Sequence, residues 1–269
     1  MTYFASDFKD VDATNAVQPF IQCLKLQQSL ESYHRYKHKT FEEMHLVAGA
    51  SVLEVGCGIG EDAISLAKLV GSTGKVTAVD RSQAMLNQAI ASTENLALPI
   101  EFVLADAQQL PFADHTFDAA RVDRTLQHID HPQLAIAEMA RVVRPGGWVV
   151  AVEPDWETFV MDSSQRALTR QLLNLWCDTF PSGWIGRQLF RYFRQAGLTE
   201  LQVNPETIVL TQFDLADQIL AFVQTARKAE ACGIASQSAI QEWLNELQHF
   251  DQSQQFFCSF TIFIVSGKK

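Results

Sequence analysis

No block of lysine and arginine, no C-x-x-C pair and no long hydrophobic run occurs in the 269 residues. Each absence excludes something. Lysine and arginine number 21 against 31 aspartates and glutamates, a formal net charge of −10. A chain without clustered cations cannot draw its affinity from neutralising phosphates, so no nucleic-acid partner is expected. The cysteines, Cys23, Cys57, Cys177, Cys232 and Cys258, are odd in number and scattered, which argues for a reducing compartment rather than a disulfide framework or a zinc site. Met1 to Asn15 carries Asp7, Lys9, Asp10 and Asp12 and lacks the basic start and apolar stretch of a signal peptide, so a cytoplasmic location is the expectation. The longest apolar-rich stretch, Phe256 to Val265, is interrupted by Ser259 and Thr261. A bilayer needs about 20 residues, so this reads as a buried strand and no membrane span is expected.

What is present can build a core. Apolar residues make up 47% of the chain, with 18 Phe, and a chain of this length hides roughly three quarters of its unfolded surface. From Ser51 to Pro154 short β-branched runs (51–55, 75–79, 101–104, 119–122 and 148–152) alternate with helical patterns (61–69, 83–93 and 133–142). Such alternation predicts βαβ units, hence a doubly wound, mostly parallel α/β sheet with helices on both faces. Gly71, Gly74, Pro99, Pro111 and the Pro145-Gly146-Gly147 turn fall at the joints.

After Pro154 the pattern becomes helical. Helices are predicted over 162–180, 186–196 and 214–230, and a fourth opens at the capping box Ser238-x-x-Gln241. Strands are predicted over 201–210 and 256–265. These last two strands are expected to pair antiparallel, which completes a seven-stranded sheet with an antiparallel last strand. Residues 1–45 read as an N-terminal helical segment. The helices over about 156–197 and 211–255 are expected to form a lid that selects the substrate.

The segment Val52-Leu53-Glu54-Val55-Gly56-Cys57-Gly58-Ile59-Gly60-Glu61 carries the chemistry. An apolar strand runs into glycines and then a helix, leaving the backbone bare where a ligand approaches. The spacing is G-x-G-x-G, whereas the dinucleotide fingerprint is G-x-G-x-x-G. Glu54, two residues before Gly56, would set a carboxylate beside the loop, suiting a ligand with an ammonium group better than one with phosphates. Asp80, ending the second strand, can accept both hydroxyl hydrogens of a ribose. Asp106, after the third strand, can accept from the exocyclic amine of a purine. Together these carboxylates line one crevice of an open sheet.

In these segments, and in TAVDRSQAML, ADAQQLPFADHTFDAA and RVVRPGGWVVAVEP, the sequence resembles class I S-adenosylmethionine-dependent methyltransferases from Leu46 to Trp156. It is similar to the small-molecule branch typified by the ubiquinone/menaquinone biosynthesis enzymes. The resemblance implies a Rossmann-like fold with S-adenosylmethionine as cofactor. It implies that Gly56, Gly58 and Gly60, in the loop that also holds Cys57, grip the methionine part of the cofactor and Asp80 its ribose. Arg81 and Met85 would flank the adenine, with Asp106 and Ala107 on its amino edge. At the end of the fourth strand the family has a polar pair and then L-H-H. Here Asp123-Arg124-Thr125-Leu126-Gln127-His128 stands in that place, so Arg124 is a departure beside the cofactor.

Methyl transfer from a sulfonium is an in-line displacement that needs alignment and a dry site. A base is needed only where the nucleophile must lose a proton. His128 is the candidate, with Glu153 and Asp155 after the fifth strand as others. His128, Asp130 and His131 lack the spaced partners of a metal site, so no metal is expected. Trp156, Trp176, Phe180 and Trp184 are candidates for an apolar substrate wall. Lys37 and Lys39 read as a solvated helix face, one of them within reach of the cofactor carboxylate. The expected reaction is O-, N- or C-methylation of a small, partly apolar metabolite. An RNA or protein methyltransferase, a nicotinamide oxidoreductase and a non-catalytic cofactor-binding protein are the alternatives.

Overall fold

The computed structural model describes residues 5–14 and 17–269. Residues 1–4, 15 and 16 of the expected N-terminal segment lie outside the described residues. A 3-10 stretch, Ala5–Ala13, leads to α1 (Gln18–Gln28) and α2 (Glu31–Glu42). The alternating part follows as β1 (Ser51–Val55), α3 (Glu61–Val70), β2 (Lys75–Asp80), α4 (Gln83–Thr93), β3 (Ile100–Leu104), β4 (Phe117–Asp123), α5 (Pro132–Val142) and β5 (Val143–Met161). The remainder is α6 (Arg166–Cys177), α7 (Ile185–Gln195), β6 (Thr199–Leu210), α8 (Phe213–Leu220), α9 (Phe222–Ala231), α10 (Gln237–Gln252) and β7 (Cys258–Lys268).

One seven-stranded sheet has the order β3-β2-β1-β4-β5-β7-β6. All its neighbours pair in parallel except β7, which is antiparallel to both β5 and β6. This is the doubly wound sheet with an antiparallel last strand that the alternation predicts. The chain leaves β1 toward β2 and β3 and returns on the other side through β4, so the crevice at the carboxyl ends of β1 and β4 is the switch point where ligands of such sheets bind. β1 is buried on both faces. Val52 faces the core shared with α2, α3 and the C-terminal helices, whereas Leu53 and Val55 face the core made with α5 and α7. A strand covered on both sides reads as a continuous apolar run, and the buried Glu54 in its middle therefore needs a partner.

Several elements differ from the sequence expectation. β5 runs well past Val152 because β7 pairs it as far as Met161↔Cys258, while pairing with β4 ends at Asp123↔Val152. Pro154 lies beyond that end, so its missing N–H costs no bond to β4. The predicted Pro145-Gly146-Gly147 turn falls inside β5, where Gly146 has φ +86 and the register with β4 shifts between Phe117 and Ala119. The helix expected from Asp214 to Glu230 is two helices, broken at Ala221 (φ +56), and Asp217 Oδ1 accepts from the Val223 amide (2.8 Å) at the start of the second. Of the segments expected to form a lid, α7 buries Ile185, Leu189 and Phe193 beside α5 on the far face of the sheet. α6, α8, α9 and α10 extend the other core cluster.

Candidate functional site

The glycine loop is pinned to β2 before any ligand is considered. The amides of Gly56 and Cys57 donate to Val79 O (2.8 and 2.9 Å), and the Gly58 amide donates to Asp80 Oδ2 (2.8 Å). Gly56 has φ +71, and a Cβ there would lie 2.0 Å from Thr125 Oγ1, so glycine is required both for the turn and for the close approach of the β4 exit. Asp80 Oδ1 accepts from the Ser82 amide (2.9 Å). Burial raises the Asp80 carboxyl above its usual range, and the Ser82 and Gly58 amides oppose that rise. Ser82 then caps α4 through the Met85 amide (3.1 Å).

A cavity opens at the carboxyl ends of the strands, with about 1280 Å³ of empty space including its mouth. Its wall is of two kinds. Gly56, Gly58, Asp80, Arg81, Met85, Asp106, Ala107, Arg124 and His128 line it from the strand ends and the loops that follow them. Trp156, Trp176 and Phe180 line it too, with Ile219 and Leu220 of α8. Trp156 and Trp176 meet edge to face at 4.4 Å, and Trp176 meets Phe180 at 4.9 Å. Such pairs contribute about 0.5–1.5 kcal/mol each beyond their buried area. Trp184 is 48% exposed and takes no part in this wall.

Glu54, Cys57, Gly60, Glu153 and Asp155 do not line the cavity. Glu54 Oε1 accepts from Arg121 Nη1 (2.5 Å) in a buried ionic cluster beneath the loop, and its Oε2 has no partner. Arg121 is fully buried and also reaches Thr40 Oγ1 (2.7 Å), Asp123 Oδ2 (2.8 Å) and Asp62 Oδ2 (3.2 Å). Burial pushes the Glu54 carboxyl up to about 8 against the attraction of Arg121. In the same cluster Lys37, Arg124 and Arg121 overcome burial and hold the Asp123 carboxyl well below the usual range. Lys37 is therefore no solvated residue: it is buried and paired with Asp62 and, at 3.4 Å, with Asp123. Lys39 pairs with Glu206 of β6 (3.1 Å). Gly60 serves as the left-handed N-cap of α3 (φ +85).

Glu153 is a clamp. Its Oε1 accepts from the Thr125 and Leu126 amides (2.7 and 2.6 Å) and its Oε2 from the Gln127 amide (3.3 Å), fixing the turn that presents His128. Burial raises its carboxyl to about 8 and those amides work against the rise. Asp155 is buried and held by Arg187, whose Nη2 donates to it at 2.7 Å. His128 Nδ1 is buried without a hydrogen-bond partner. Burial, helped by the charge of Arg124, pushes the imidazole down to about 3, so it is neutral at pH 7.

Arg124 stands at a positive φ (+50), rare for a side chain of that size. Its Nε donates to Asp123 Oδ1 (3.1 Å), its Nη1 donates to Gln27 Oε1, and its guanidinium lies 4.9 Å from the Tyr33 ring centroid. It thus ties the exit of β4 to α1 and α2. Sequence reasoning missed that these N-terminal elements roof the site: Phe8, Leu24 and Tyr33 line the cavity. Asp12 accepts from the Gln83 amide (2.8 Å) and from Ser82 Oγ (2.5 Å), docking the 3-10 stretch on α4. An aspartate ahead of the first helix carries no local signal of such a contact.

An open α/β sheet with a ligand crevice at its switch point, a glycine loop and an acid at the end of β2 defines a nucleoside-binding enzyme fold. Residues 52–147 match the family described as "Methyltransferase domain". The chain is 30% identical over 219 residues to the demethylmenaquinone methyltransferase of Bacillus licheniformis, covering 76% of this chain and 90% of that one. It is 36% identical over 255 residues to an uncharacterized 37.1 kDa protein in transposon TN4556 of Streptomyces fradiae, covering 93% of this chain and 72% of that one. Among solved structures, the YcgJ protein of Bacillus subtilis shares the fold with a TM-score of 0.61 at 19% identity, over 88% of this chain and 99% of that one. The chain belongs to the class I S-adenosylmethionine-dependent methyltransferases and is similar to the menaquinone methyltransferases. Among the described residues no helix is long and apolar enough to cross a membrane.

Proposed function

We propose that the protein transfers a methyl group from S-adenosylmethionine, bound at the polar end of the cavity, to a small, partly apolar acceptor bound against Trp156, Trp176 and Phe180. The observation that carries this reading is that one cavity joins both kinds of wall, with His128 lining it as well. The residues present fit the cofactor. Gly56 and Gly58 leave backbone bare where its methionine part would lie, Asp80 offers acceptors for ribose hydroxyls, and Arg81 and Met85 would flank the adenine, with Asp106 and Ala107 on its amino edge. Arg124 is the cation nearest the glycine loop's partner Thr125 in sequence, and would face the cofactor's carboxylate. When bound, the cofactor supplies an electrophilic methyl on a sulfonium.

The chain's own residues align the partners and exclude water. Glu153 fixes the 125–127 backbone and with it the position of His128. The aromatic wall and the N-terminal roof keep the acceptor end dry, which strengthens the few polar contacts there. His128, neutral and half-buried, holds a polar group of the acceptor rather than acting as a strong base. Glu54 holds Arg121 in the buried cluster with Thr40, Asp62 and Asp123, and Asp155 holds α7 through Arg187. The relative from Bacillus licheniformis acts, by its name, on demethylmenaquinone, which supports an acceptor with a large apolar part. The test is incubation of the protein with methyl-labelled S-adenosylmethionine and a fractionated cell extract, followed by the mass of any labelled product. Label in a small organic-soluble product is expected. Cofactor binding with no labelled product in any fraction would favour a non-catalytic binding protein, and label in RNA or protein would overturn the small-molecule reading.

A further inference from the structure

Of the thirteen large apolar side chains that are exposed among the described residues, six gather on one side of the sheet: Val160, Trp184, Phe190, Val203, Val209 and Phe257. The register shows why. Along β7, Cys258, Phe260, Ile262 and Ile264 face the core shared with the C-terminal helices, whereas Val265 faces the core made with α7. Side chains alternate along a strand and opposed residues share a face. Phe257 therefore lies on the α7 side, as do Val203, opposite Val265, and Val160 and Val209, both opposite Ser259. α7 lies over β5, β6 and β7 and still leaves these four side chains 41–53% exposed. Pro205 and Thr207, between the two valines of β6, bring no charge, and Glu206 turns to Lys39 on the other face. The helix beside this patch is basic. Between Asp178 and Glu200 the chain has Arg187, Arg191 and Arg194 and no acidic residue, in a protein of formal net charge −10. Arg187 is taken by Asp155 and Glu157, at 2.7 Å each. Arg191 and Arg194 are exposed, lie over the rings of Tyr192 (4.9 Å) and Phe190 (5.5 Å), and form no ion pair among the described residues.

We propose that this face docks the protein on an anionic lipid bilayer, with Trp184 and Phe190 at the level of the headgroups and Arg191 and Arg194 on lipid phosphates. Exposed apolar side chains gathered in one patch mark a surface that something covers, and unpaired arginines call for anions. An anionic bilayer supplies both, since aromatic side chains favour its interface and cations its surface potential. A second copy of this chain supplies only the first, because its matching face carries the same unpaired cations. RNA supplies only the second: Val160, Val203 and Val209 give a base no ring to stack on. The acidic remainder of the protein is repelled by such a surface, so the basic helix sets which side approaches. This face adjoins the cavity. The Trp156 amide donates to Gly183 O (3.0 Å), next to Trp184, and Trp156 lines the cavity. Docking requires neither cofactor nor acceptor, so it stands or falls apart from the methyl-transfer reading.

Flotation with vesicles of phosphatidylcholine, either plain or holding about one third phosphatidylglycerol, tests this. The wild-type protein is expected to bind the anionic vesicles about tenfold or more tightly than the plain ones. Each cation at such a surface multiplies affinity roughly fivefold, so Arg191→Gln/Arg194→Gln should bind the anionic vesicles about tenfold or more weakly. Arg166→Gln/Arg170→Gln removes the same charge from exposed positions of α6, which packs on the other face of the sheet, and should bind as the wild type does. Binding should shift tryptophan fluorescence to the blue, and Trp184→Phe should remove most of that shift. These positions are all exposed, so the variants keep the fold. No flotation of the wild type with anionic vesicles, equal affinity for the two vesicles, equal losses in the two arginine pairs, or an undiminished blue shift in Trp184→Phe overturns the proposal. So does tighter binding of a labelled single-stranded RNA than of the vesicles, where the α7 pair abolishes it, or a dimer in sedimentation velocity that Val203→Lys disperses.

Discussion

Arg121→Met removes the buried cation that organises the floor of the site. In the folded chain the guanidinium meets Glu54 at 2.5 Å, Asp123 at 2.8 Å and Asp62 at 3.2 Å, with its Nε on Thr40 at 2.7 Å, and the side chain has no solvent exposure. Methionine fills a similar volume, so the loss is electrostatic. The cluster keeps Lys37 and Arg124 for Asp62 and Asp123, but Glu54 is left with no partner on either oxygen. At pH 9, above the value of about 8 to which burial raises the Glu54 carboxyl, breaking the buried pair on one side costs about 3–5 kcal/mol. At roughly 2–4 °C per kcal/mol for a chain approaching this size, the melting temperature should fall by about 6–20 °C. The double variant Arg121→Met/Glu54→Leu removes both charges and should recover at least half of that loss, since replacing a whole buried pair by apolar groups is often neutral. Urea unfolding of the wild type, both single variants and the double variant, followed by circular dichroism, measures the coupling. A loss below about 1 kcal/mol for Arg121→Met, or additive losses in the double variant, would refute the reasoning.

Asp80→Asn keeps the shape at the end of β2 but removes the charge on which ribose hydroxyls would rely. Calorimetry should show S-adenosylhomocysteine bound at least tenfold more weakly, as hydrogen bonds to charged groups contribute about 1.5–3 kcal/mol. Gly56→Ala should destabilise the fold by about 1–3 kcal/mol, because a residue with a Cβ is strained at φ +71 and meets Thr125 there; thermal melting checks this. The pH dependence of stability separates His128 from the two glutamates. His128 is pushed down to about 3 from an unfolded value near 6.5. Its contribution is therefore present above about pH 6.5 and lost as pH falls toward 3, and His128→Phe should flatten that acid limb. Glu54 and Glu153 are raised to about 8 from unfolded values near 4.3. Their contribution is full below about pH 4 and lost as pH rises through 8, so Glu54→Gln should lessen the decline between pH 5 and 8 in urea unfolding at stepped pH.

The glycine-loop wall of the cavity was legible in the sequence for a physical reason. In a parallel sheet each strand end is followed directly by its loop, so Gly56, Gly58, Asp80 and Asp106 announce their edge by position alone. The strand order near β1 follows from the same regularity. What could not be read was made by contacts between distant segments. Arg121 reaches Thr40 across 81 positions and Glu54 across 67, so the pattern marked Glu54 as facing a ligand when its carboxylate faces Arg121. Lys37 looked solvated because a cation on a polar helix carries no sign of a buried carboxylate pair waiting on β4 and α3. The docking of Asp12 on Ser82 spans 70 positions and adds the N-terminal segment to the roof. α7 was assigned to the lid because an amphipathic helix shows which of its faces is apolar, not which face of the sheet it covers.

On the proposed function, the crevice between β1 and β4 holds S-adenosylmethionine. Isothermal calorimetry of the purified protein with S-adenosylhomocysteine, set beside NADH, tests it most directly. Saturable one-to-one binding of S-adenosylhomocysteine is expected, with no heat from NADH. Binding of NADH without binding of S-adenosylhomocysteine would contradict it.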